Sequence, residues 1–321
     1  MQIGSLQVPG MVALAPMAGV TDLAFRTVCA DLGASMTVTE MVSSRALVYR
    51  DQKSRGLLKR NDNSVCGAQI FGNDPAIMAE AAAMAAEISG CDFIDINMGC
   101  PMPKIANNGD GSGLMKNPEL AGSIVRAVSD NLKIPVTVKC RLGWDKGSIN
   151  VEDFGKRMED SGASALTVHG RTRSMLYTGV ADWDRIGKVK RLLSIPVIAN
   201  GDITDGAKAV ECLRRTGADY LMVGRASFGD PWLFEQINAA LAGEPAVERP
   251  PLAQRMETAR SQILIAQADK GEHIASLEAR KHLAWYLRGV PYASYYKEKI
   301  SSISTVAQAM EIIDGIKRDL R

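Results

Sequence analysis

The sequence feature that most constrains the fold is a regular alternation of short apolar runs with helix-compatible segments between residues 11 and 224. The apolar runs cover residues 11–17, 36–41, 64–71, 93–98, 135–141, 165–169, 196–200 and 220–224. Helix-compatible segments lie between them, among them residues 75–89, 118–131, 151–161 and 207–216. Continuous apolar strands that alternate with helices are typical of a parallel sheet covered by helices. Eight such units predict an α/β fold of the (β/α)8 TIM-barrel type.

A doubly wound open sheet is the structural alternative, because it also alternates strands with helices. The polar segments favour the barrel, in which functional groups gather at the C-terminal strand ends and phosphate is held after strands seven and eight. Polar segments occur at the ends of the predicted strands, namely Asn-Met-Gly-Cys-Pro, Lys-Cys-Arg, His-Gly-Arg, Asn-Gly-Asp and Gly-Arg.

The alternation stops after Phe234, and the rest of the chain is predicted to be helical. A Gly- and Pro-containing linker is followed by helical patterns at residues 252–270, 274–288 and 305–320, with a short one near residues 292–302. We therefore expect two domains, a catalytic barrel over residues 1–243 and a small all-helical domain over residues 250–321.

Composition excludes several classes of protein. Hydrophobic residues make up 46% and charged residues 23% of the 321-residue chain, as in ordinary globular proteins. The six cysteines form no C-x-x-C pair, so we expect neither a disulfide framework nor a metal site. The N-terminus carries no signal-peptide pattern, and we expect a cytoplasmic monomer that does not interact with a membrane. A net charge of +2 neither requires nor excludes a polyanionic partner.

Cys100 is the candidate catalytic residue. It lies between Gly99 and Pro101 directly after a predicted buried strand, and a glycine-rich loop follows it. A cysteine is commonly a small buried hydrophobe, and Cys66 and Cys140, within strands, are assigned that role. The position of Cys100 at a barrel strand end favours a working thiol instead.

Cations at two neighbouring strand ends predict a site that accommodates negative charge. Lys139 closes the fifth predicted strand and His169 the sixth, and Arg141 and Arg171 lie two residues beyond them. A reduced flavin carries such a charge near N1. Gln69 offers an amide to the pyrimidine-like edge of that ring, while Pro16, Met17 and Ala18 offer apolar surface and backbone groups.

Phosphate binding is predicted at the ends of the seventh and eighth strands. Glycines there permit close backbone approach, and Arg225 can clamp a phosphate; the predicted residues are Asn200, Gly201, Asp202, Gly224 and Arg225. The first strand is not followed by G-x-G-x-x-G, so a Rossmann dinucleotide site is not supported. The distribution favours FMN over FAD.

These motifs together resemble the tRNA-dihydrouridine synthase family, most closely its bacterial B-type branch. The resemblance extends through the barrel into the helical region and rests on Ala-Pro-Met-Ala-Gly-Val-Thr-Asp (15–22), Asp-Ile-Asn-Met-Gly-Cys-Pro (95–101), His-Gly-Arg-Thr-Arg (169–173), Ile-Ala-Asn-Gly-Asp-Ile (198–203), Val-Gly-Arg-Ala (223–226) and Arg-Lys-His-Leu-Ala-Trp-Tyr (280–286). Two departures lie in the loop after Cys100, where Met102-Pro103-Lys104 replaces more basic residues and Gly113 replaces Ala.

The resemblance implies reduction of the uridine C5=C6 bond in tRNA, with FMN as the hydride carrier and NADPH or NADH as the electron donor. Cys100 matches the proton donor to C5, while hydride passes from flavin N5 to C6. The positions implied to contact FMN are Pro16, Met17, Ala18, Gln69, Lys139, His169, Asn200, Gly201, Asp202, Gly224 and Arg225.

A tRNA partner requires surfaces for phosphate contact and base stacking. We expect RNA or substrate contacts from Asn97, Arg141, Arg171, Arg173, Lys281, Arg288, Lys297 and Lys299. In the helical region these cations alternate with His282, Trp285, Tyr286, Tyr292, Tyr295 and Tyr296, although Trp285 and about half of these tyrosines are expected to be core. A second basic run, comprising Arg45, Arg50, Lys53, Arg55, Lys59 and Arg60, is expected on the active-site side of the barrel.

Two other interpretations remain open at this point. A small-molecule flavin oxidoreductase of dihydroorotate dehydrogenase type would use the same barrel but would not need the basic, aromatic helical region. A non-catalytic RNA-binding or folding protein would not need Cys100, Lys139 and Arg225.

Overall fold

The computed structural model describes residues 1–320 of the chain. The strands are β1 (Gln2–Ile3), β2 (Leu6–Gln7), β3 (Val12–Leu14), β4 (Met36–Val38), β5 (Val42–Ser43), β6 (Val65–Phe71), β7 (Phe93–Met98), β8 (Val136–Cys140), β9 (Ala165–His169), β10 (Val197–Asn200) and β11 (Tyr220–Val223). Each of the eight apolar runs in the sequence contains one of these strands, namely β3, β4 and β6 to β11.

The helices follow the strands. They are α1 (Leu23–Asp31), α2 (Ser44–Val48), α3 (Gln52–Gly56), α4 (Pro75–Ser89), α5 (Pro103–Ala106), α6 (Pro118–Asp130), α7 (Val151–Asp160), α8 (Trp183–Leu192), α9 (Gly206–Thr216), α10 (Leu233–Ala242), α11 (Leu252–Lys270), α12 (Glu272–Tyr286), α13 (Ser294–Ser301) and α14 (Val306–Asp319). Short 3₁₀ helices cover Gly111–Lys116 and Arg225–Ser227.

Eight parallel strands close into a barrel, which confirms the predicted TIM barrel. Their hydrogen-bonded order is β4, β3, β11, β10, β9, β8, β7, β6, and β6 pairs back with β4. The closure is visible at Met36, which pairs with Ala13 of β3 on one side and with Val65 of β6 on the other. Because the strands are parallel, all their C-terminal ends meet on one face of the barrel.

Local sequence explains where the helices begin and end. Asp74 caps α4 by accepting hydrogen bonds from the N–H groups of Ala76 and Ile77, and Pro75 occupies the first turn. Gly90 ends that helix in the left-handed conformation, with φ of 59°. The helices then bury one face against the outer side of the strands, forming the largest apolar cluster of the molecule.

A two-stranded hairpin, β1 with β2, closes the N-terminal end of the barrel and was not predicted from the sequence. Ile3 and Val8 pack there against Phe93 and Tyr220, which point into the barrel. Gly67 makes room for Phe93, because a Cβ atom at Gly67 would lie 2.4 Å from that ring. The hairpin therefore leaves only the C-terminal end of the barrel accessible.

The helical region from α11 to α14 has an apolar cluster of its own, to which Ala24 and Trp232 of the barrel also contribute. Residues 243–251, between α10 and α11, form neither helix nor strand. Polar contacts fasten this region to the barrel, where Lys270 pairs with Asp22 and Lys59 pairs with Asp269. Within residues 1–320, no helix combines the length and apolar character that crossing a bilayer requires.

Candidate active site

A cavity of about 680 Å³ opens at the C-terminal ends of the barrel strands. This volume lies in the range usual for small-molecule and cofactor sites. The cavity is lined by all eleven residues predicted to contact a cofactor and also by Cys100, Asn97 and Arg141. The strand ends therefore bring together residues that are up to 209 positions apart in sequence, from Pro16 to Arg225.

Cys100 is half-buried at the cavity wall, whereas the other five cysteines are buried. Burial raises the pKa of the Cys100 thiol, and this outweighs the opposing effects of a backbone hydrogen bond at Met102 and the charges of Arg141 and Lys139. The thiol is therefore protonated at neutral pH. Cys66 and Cys140 lie in strands as core residues, as predicted.

The loop after Cys100 is more regular than the glycine-rich sequence indicates. Residues Gly111–Lys116 form a 3₁₀ helix, of which all but Lys116 are buried. Ser112 donates hydrogen bonds to the Cys100 carbonyl from its backbone N–H at 3.2 Å and from its hydroxyl at 2.7 Å. Gly113 fits because a Cβ there would lie 2.5 Å from the Ala106 carbonyl. The segment is therefore packed against the backbone of Cys100 and Ala106 and is not an open loop.

A buried carboxylate, Asp95, lies beneath the cavity and was not singled out by sequence reasoning. Side chains alternate along β7, so Phe93, Asp95 and Asn97 point into the barrel while Ile94, Ile96 and Met98 face the helices. Burial raises the pKa of Asp95 to about 6, against the opposing effects of hydrogen bonds from Thr137 and Gln69. The sequence did carry a signal, because an acidic residue inside an apolar strand is rare unless it is hydrogen-bonded.

Lys139 is a buried cation at the cavity floor. Its ammonium donates to Asn200 Oδ1 at 3.1 Å, and Asn200 in turn donates to the Met222 carbonyl at 2.8 Å. Burial lowers the pKa of Lys139 to about 8, and Arg141 adds repulsion. Within residues 1–320 it forms no salt bridge, so its charge is available to an anionic group in the cavity.

His169 lies beside these cations. Burial lowers the pKa of His169 well below its usual range, and the charges of Arg141, Lys139, Arg171 and Arg225 lower it further. The imidazole is therefore neutral at physiological pH. A neutral ring can donate from one nitrogen and accept at the other, which suits contact with the polar edge of a heterocycle.

Arg141 and Arg171 were expected to contact substrate or RNA, and the structure uses both to hold the loop after β9. Arg141 donates to the carbonyls of Gly99, Thr172 and Leu176 at 2.8 to 2.9 Å. Arg171 is 2% exposed and donates to the carbonyls of Thr178 and Gly179 and to Asp202. The expected contact of Arg171 with substrate or RNA is therefore wrong, because its side chain is enclosed and its Nε and Nη2 groups already donate, whereas the expected contact of Arg141, which lines the cavity, stays a prediction.

The loop that these arginines hold carries Tyr177, a cavity residue that sequence reasoning missed. Its ring centre lies 4.5 Å from the guanidinium carbon of Arg225 and 5.6 Å from that of Arg141. The loop also exposes Leu176 and Val180 near the cavity. Tyr177 thus forms an aromatic wall beside the predicted phosphate-binding residues.

Backbone geometry at the ends of β10 and β11 fits a phosphate group. Gly201 adopts φ of 117°, and a Cβ there would lie 2.9 Å from the ring of His169 and from the methyl group of Ala181. A Cβ atom at Gly224 would be in ordinary van der Waals contact with the Met17 sulfur, at 3.5 Å. Arg225 is exposed at the start of its 3₁₀ helix. The residues present thus fit a planar ring with a phosphate tail.

Outside the cavity, the helical region presents a group of exposed cations and aromatics. Tyr292 is 92% exposed, Tyr295 is 57% exposed, and Lys299 lies 4.5 Å from the Tyr295 ring centre. Arg288 and Lys297 are also exposed. We call Arg288, Tyr292, Tyr295, Lys297 and Lys299 the helical basic surface.

Other predicted members of this surface have structural contacts. His282 and Tyr286 are buried, as is Tyr296, and Trp285 stacks on Phe228 of the barrel at 4.3 Å between ring centres. Lys281 donates to the Gly19 carbonyl across the interface with the barrel. His282 and Tyr286 therefore belong to packing, because α12 turns these faces toward α1 and α11.

Arg173, also expected to contact substrate or RNA, belongs to a second cationic group at the C-terminal rim of the barrel. Its guanidinium carbon lies 4.4 Å from the ring centre of Trp144, and the Lys116 ammonium lies 4.1 Å from the same ring. These residues follow β9, β8 and β7, which lie two strands or more from β11 and three or more from β3, beside which the helical region packs. We call Lys116, Trp144 and Arg173 the rim cluster.

The basic run after β4 divides between the two ends of the barrel. Arg45 contacts Asn73 at 3.5 Å near the C-terminal strand ends. Arg60 instead binds Asp92, whose carboxylate accepts a hydrogen bond from Cys66 at the start of β6. The predicted placement on the active-site side is thus wrong for Arg60, and Lys59 is occupied by Asp269.

Comparison with known proteins agrees with this geometry. The family model of dihydrouridine synthases (Dus) matches residues 13–320. A probable tRNA-dihydrouridine synthase of Rickettsia conorii is 41% identical over 94% of this chain and 91% of its own length. The tRNA-dihydrouridine synthases B of Escherichia coli and Vibrio vulnificus are 40% and 39% identical, each over 98% of both chains.

Solved structures share the fold. A histamine dehydrogenase from Rhizobium has a TM-score of 0.59 at 13% identity, covering 83% of this chain and 50% of that chain. A 2-naphthoyl-CoA reductase has a TM-score of 0.61 at 11% identity, covering 76% of this chain and 52% of that one. At such identities the likeness extends to the barrel architecture only.

Proposed function

The chain belongs to the dihydrouridine synthase family, and from this premise we propose that it reduces the C5=C6 bond of uridine in tRNA, using bound FMN and electrons from NADPH or NADH. The observation that carries the proposal is the single half-buried thiol, Cys100, in the wall of a cavity lined by cationic and amide side chains. A reductase of a polarised double bond needs a proton donor at such a place.

FMN is the cofactor that the cavity residues would hold. Lys139 and neutral His169 suit the polar edge of its ring, and Gln69 offers its amide. The apolar wall is formed by Pro16, Met17 and Ala18, and the phosphate would meet Asn200, Gly201, Asp202, Gly224 and Arg225. When bound, FMN supplies hydride transfer, here to C6 of uracil.

The residues of this chain provide the proton and the charge balance. Cys100 donates its thiol proton to C5, and the resulting thiolate is stabilised by the positive charges of Arg141 and Lys139. Asn97 lines the same cavity and donates to the carbonyl edge of the base. The uridine must leave its stack to reach this cavity, as in other enzymes that act on a nucleobase.

We further propose that residues 1–243 form the FMN-binding domain and residues 250–321 the tRNA-binding domain. The exposed cations of the helical basic surface, none of which forms a salt bridge within residues 1–320, support this role, because phosphate contacts need such groups. Lys281 donates to the Gly19 carbonyl and so holds the helical region against the barrel. It would contribute to RNA binding only at the edge of the helical basic surface.

The rim cluster supplies a second RNA contact across the barrel mouth. Lys116 and Arg173 share one aromatic ring, and no Asp or Glu within residues 1–320 forms a salt bridge with either. Two neighbouring cations without a carboxylate favour an anionic partner. A phosphate contact at the rim cluster, together with contacts at the helical basic surface, would hold the tRNA on both sides of the inserted base.

The test is a reconstituted reaction. The purified protein is heated to release its cofactor, which is identified by chromatography, and the holoenzyme is mixed with NADPH and unmodified tRNA transcripts. We expect released FMN, and dihydrouridine in the tRNA detected by mass spectrometry. Reduction of small enones or orotate-like substrates with none of the tRNA would contradict the proposal and favour a small-molecule reductase.

A further inference from the structure

A continuous chain of hydrogen bonds connects a buried carboxylate to the backbone of Cys100. Thr137 donates to Asp95 Oδ1 at 2.5 Å, and Gln69 Nε2 donates to Asp95 Oδ2 at 2.6 Å. Asn97 Nδ2 donates to Gln69 Oε1 at 2.8 Å. Asn97 Oδ1 then accepts the backbone N–H groups of Gly99 and Cys100 at 3.1 and 2.9 Å. We call Asp95, Gln69 and Asn97 the amide chain.

The direction of every bond in the amide chain is fixed from both ends. Backbone N–H groups can only donate, so the atom of Asn97 that faces Gly99 and Cys100 must be its oxygen. The Asn97 nitrogen therefore faces Gln69, whose oxygen accepts it and whose nitrogen faces Asp95. An ionised carboxylate only accepts, so it specifies the same direction.

This arrangement also decides what Asn97 can offer to a ligand. Both acceptor positions of its oxygen are used by backbone N–H groups. Its remaining capacity is an N–H, which has only a 3.5 Å contact with the Met41 sulfur. Asn97 can therefore bind an acceptor, such as the carbonyl oxygen of uracil, and cannot accept from an amino group such as that of cytosine.

Building on the proposed function, we propose that Asp95 is a positioning residue: it fixes the orientation of the Gln69 and Asn97 amides and, through Asn97, holds the backbone of Cys100 in place. Asp95 lies inside the barrel, below the cavity floor, and is only 3% exposed. It therefore acts through the Gln69 and Asn97 side chains and does not touch the substrate. The Cys100 carbonyl is held independently by Ser112.

The matched variants are Asp95→Leu and Asp95→Asn. Leucine removes the acceptor from Gln69, whereas asparagine keeps an oxygen that Gln69 can donate to, with its own amide N–H toward the Thr137 hydroxyl. Thr137→Val serves as control, because it removes the other hydrogen bond of Asp95 and leaves the amide chain connected. Asp95→Ser, too short to reach Gln69, replaces the leucine variant if that variant does not fold.

The first readout is alkylation of Cys100, followed by mass spectrometry of its peptide in the protein without tRNA. Asp95→Leu should raise the rate roughly tenfold, the equivalent of one net hydrogen bond of about 1.4 kcal/mol. In Asp95→Asn and Thr137→Val the alkylation rate of Cys100 should stay within about twofold of the wild-type rate, which is less than the roughly tenfold change expected for the loss of one hydrogen bond. This measurement needs neither tRNA nor reduction, so it stands even if the proposed activity fails.

The second readout separates positioning from folding in the holoenzyme. We expect Asp95→Leu to lower kcat on tRNA by roughly 10- to 100-fold with KM nearly unchanged, because a misplaced proton donor weakens the transition state more than it weakens tRNA binding. Asp95→Asn should restore most of the rate. A folded Asp95→Leu protein, or its serine replacement, with wild-type alkylation of Cys100 and wild-type kcat would overturn the proposal, as would equal losses in the leucine and asparagine variants.

Discussion

The cavity and the helical basic surface both concentrate polar side chains, but they hold them in opposite ways. Around the cavity, Asp95, Gln69, Asn97 and Lys139 are enclosed and bonded to one another or to neighbouring strand ends. On the helical basic surface the cations are exposed, and none forms a salt bridge within residues 1–320.

This difference indicates that mutations in the two regions have different kinds of effect. Buried, mutually bonded groups act as a unit, so removal of one disturbs the others and the effects do not add. Exposed cations act through the sum of their charges, so each contributes a small and nearly independent part. The following predictions test that contrast.

The largest expected effect is at Cys100. Cys100→Ala should keep bound flavin and its reduction by NADPH, because the thiol is not needed to hold the cofactor, but should lower tRNA reduction by roughly 10²- to 10⁴-fold, the usual contribution of a general acid. Rapid-mixing absorbance measures the first step and dihydrouridine analysis the second. Cys212→Ala, at a buried cysteine of α9, is the control. Unchanged tRNA turnover in Cys100→Ala would reject the role.

The second effect concerns the interface that joins the two regions. Lys270 lies between Asp22 and Glu278 with its side chain 19% exposed and that of Asp22 7% exposed. Lys270→Ala leaves the buried Asp22 carboxylate and the partly buried Glu278 carboxylate without this cation, and breaking a buried pair in this way typically costs about 3–5 kcal/mol of unfolding free energy. Urea titration measures this loss.

Lys317→Ala is the matched control, because Lys317 pairs with Glu257 in a more exposed setting and should cost less than about 1 kcal/mol. Equal losses in the two variants would show that the interface pair is no more important than a surface pair.

Much of the fold could be predicted because each barrel strand is a buried apolar run and each strand end is polar. The bounds of α4 also follow directly from Asp74 and Pro75 at its start and Gly90 at its end, whereas α11 has no side-chain cap and is bounded by Pro251 and Gly271. Cys100 and Gln69 were found for the same reason, since a strand end can be located without knowing its neighbours.

Other features depend on which strands and helices become neighbours. Asp95 meets Gln69 and Thr137 only through the register of β6, β7 and β8. Arg171 is enclosed by its own loop, and His282 is buried because α12 packs on α1. The hairpin β1 with β2 has two residues in each strand, too few for a periodic pattern.

The third effect is a pH dependence of the same interface. Burial lowers the pKa of His282 to about 4, and Lys281 and Lys270 oppose its protonation while Asp22 favours it. Unfolded histidine has a pKa near 6.5, so between pH 6.5 and 4 the unfolded chain binds more protons. The contribution of His282 to stability should therefore fall by about 3 kcal/mol as pH drops through that range, whereas Asp95, whose pKa is raised to about 6, contributes in the opposite sense.

His282→Gln removes this titration, so the unfolding free energy of the wild-type protein minus that of the variant should fall by about 3 kcal/mol between pH 6.5 and 4, while the contribution of Asp95 is common to both. Denaturation at several pH values compares the two proteins. Burial alone would raise the pKa of Asp22, but Lys270 outweighs it and lowers that pKa, which adds a loss at more acidic pH that both proteins share. Identical slopes above pH 4 would show that His282 is not kept neutral by burial.

The smallest single effects are expected on the helical basic surface and the rim cluster. Arg288→Ala, Lys297→Ala, Lys299→Ala and Arg173→Ala should each reduce the slope of log affinity for tRNA against log salt by roughly 0.7–0.9, because binding with one phosphate contact fewer releases one counterion fewer. At saturating tRNA, kcat should stay near the wild-type value, since these groups lie outside the cavity.

Lys156→Ala is the control, because Glu159 and Asp160 already neutralise that lysine. Because exposed charges act independently, a combined variant should show the sum of the single changes. A slope that stays constant in all four variants, or a fall in kcat with unchanged affinity, would contradict the contrast between a preorganised cavity and an additive binding surface.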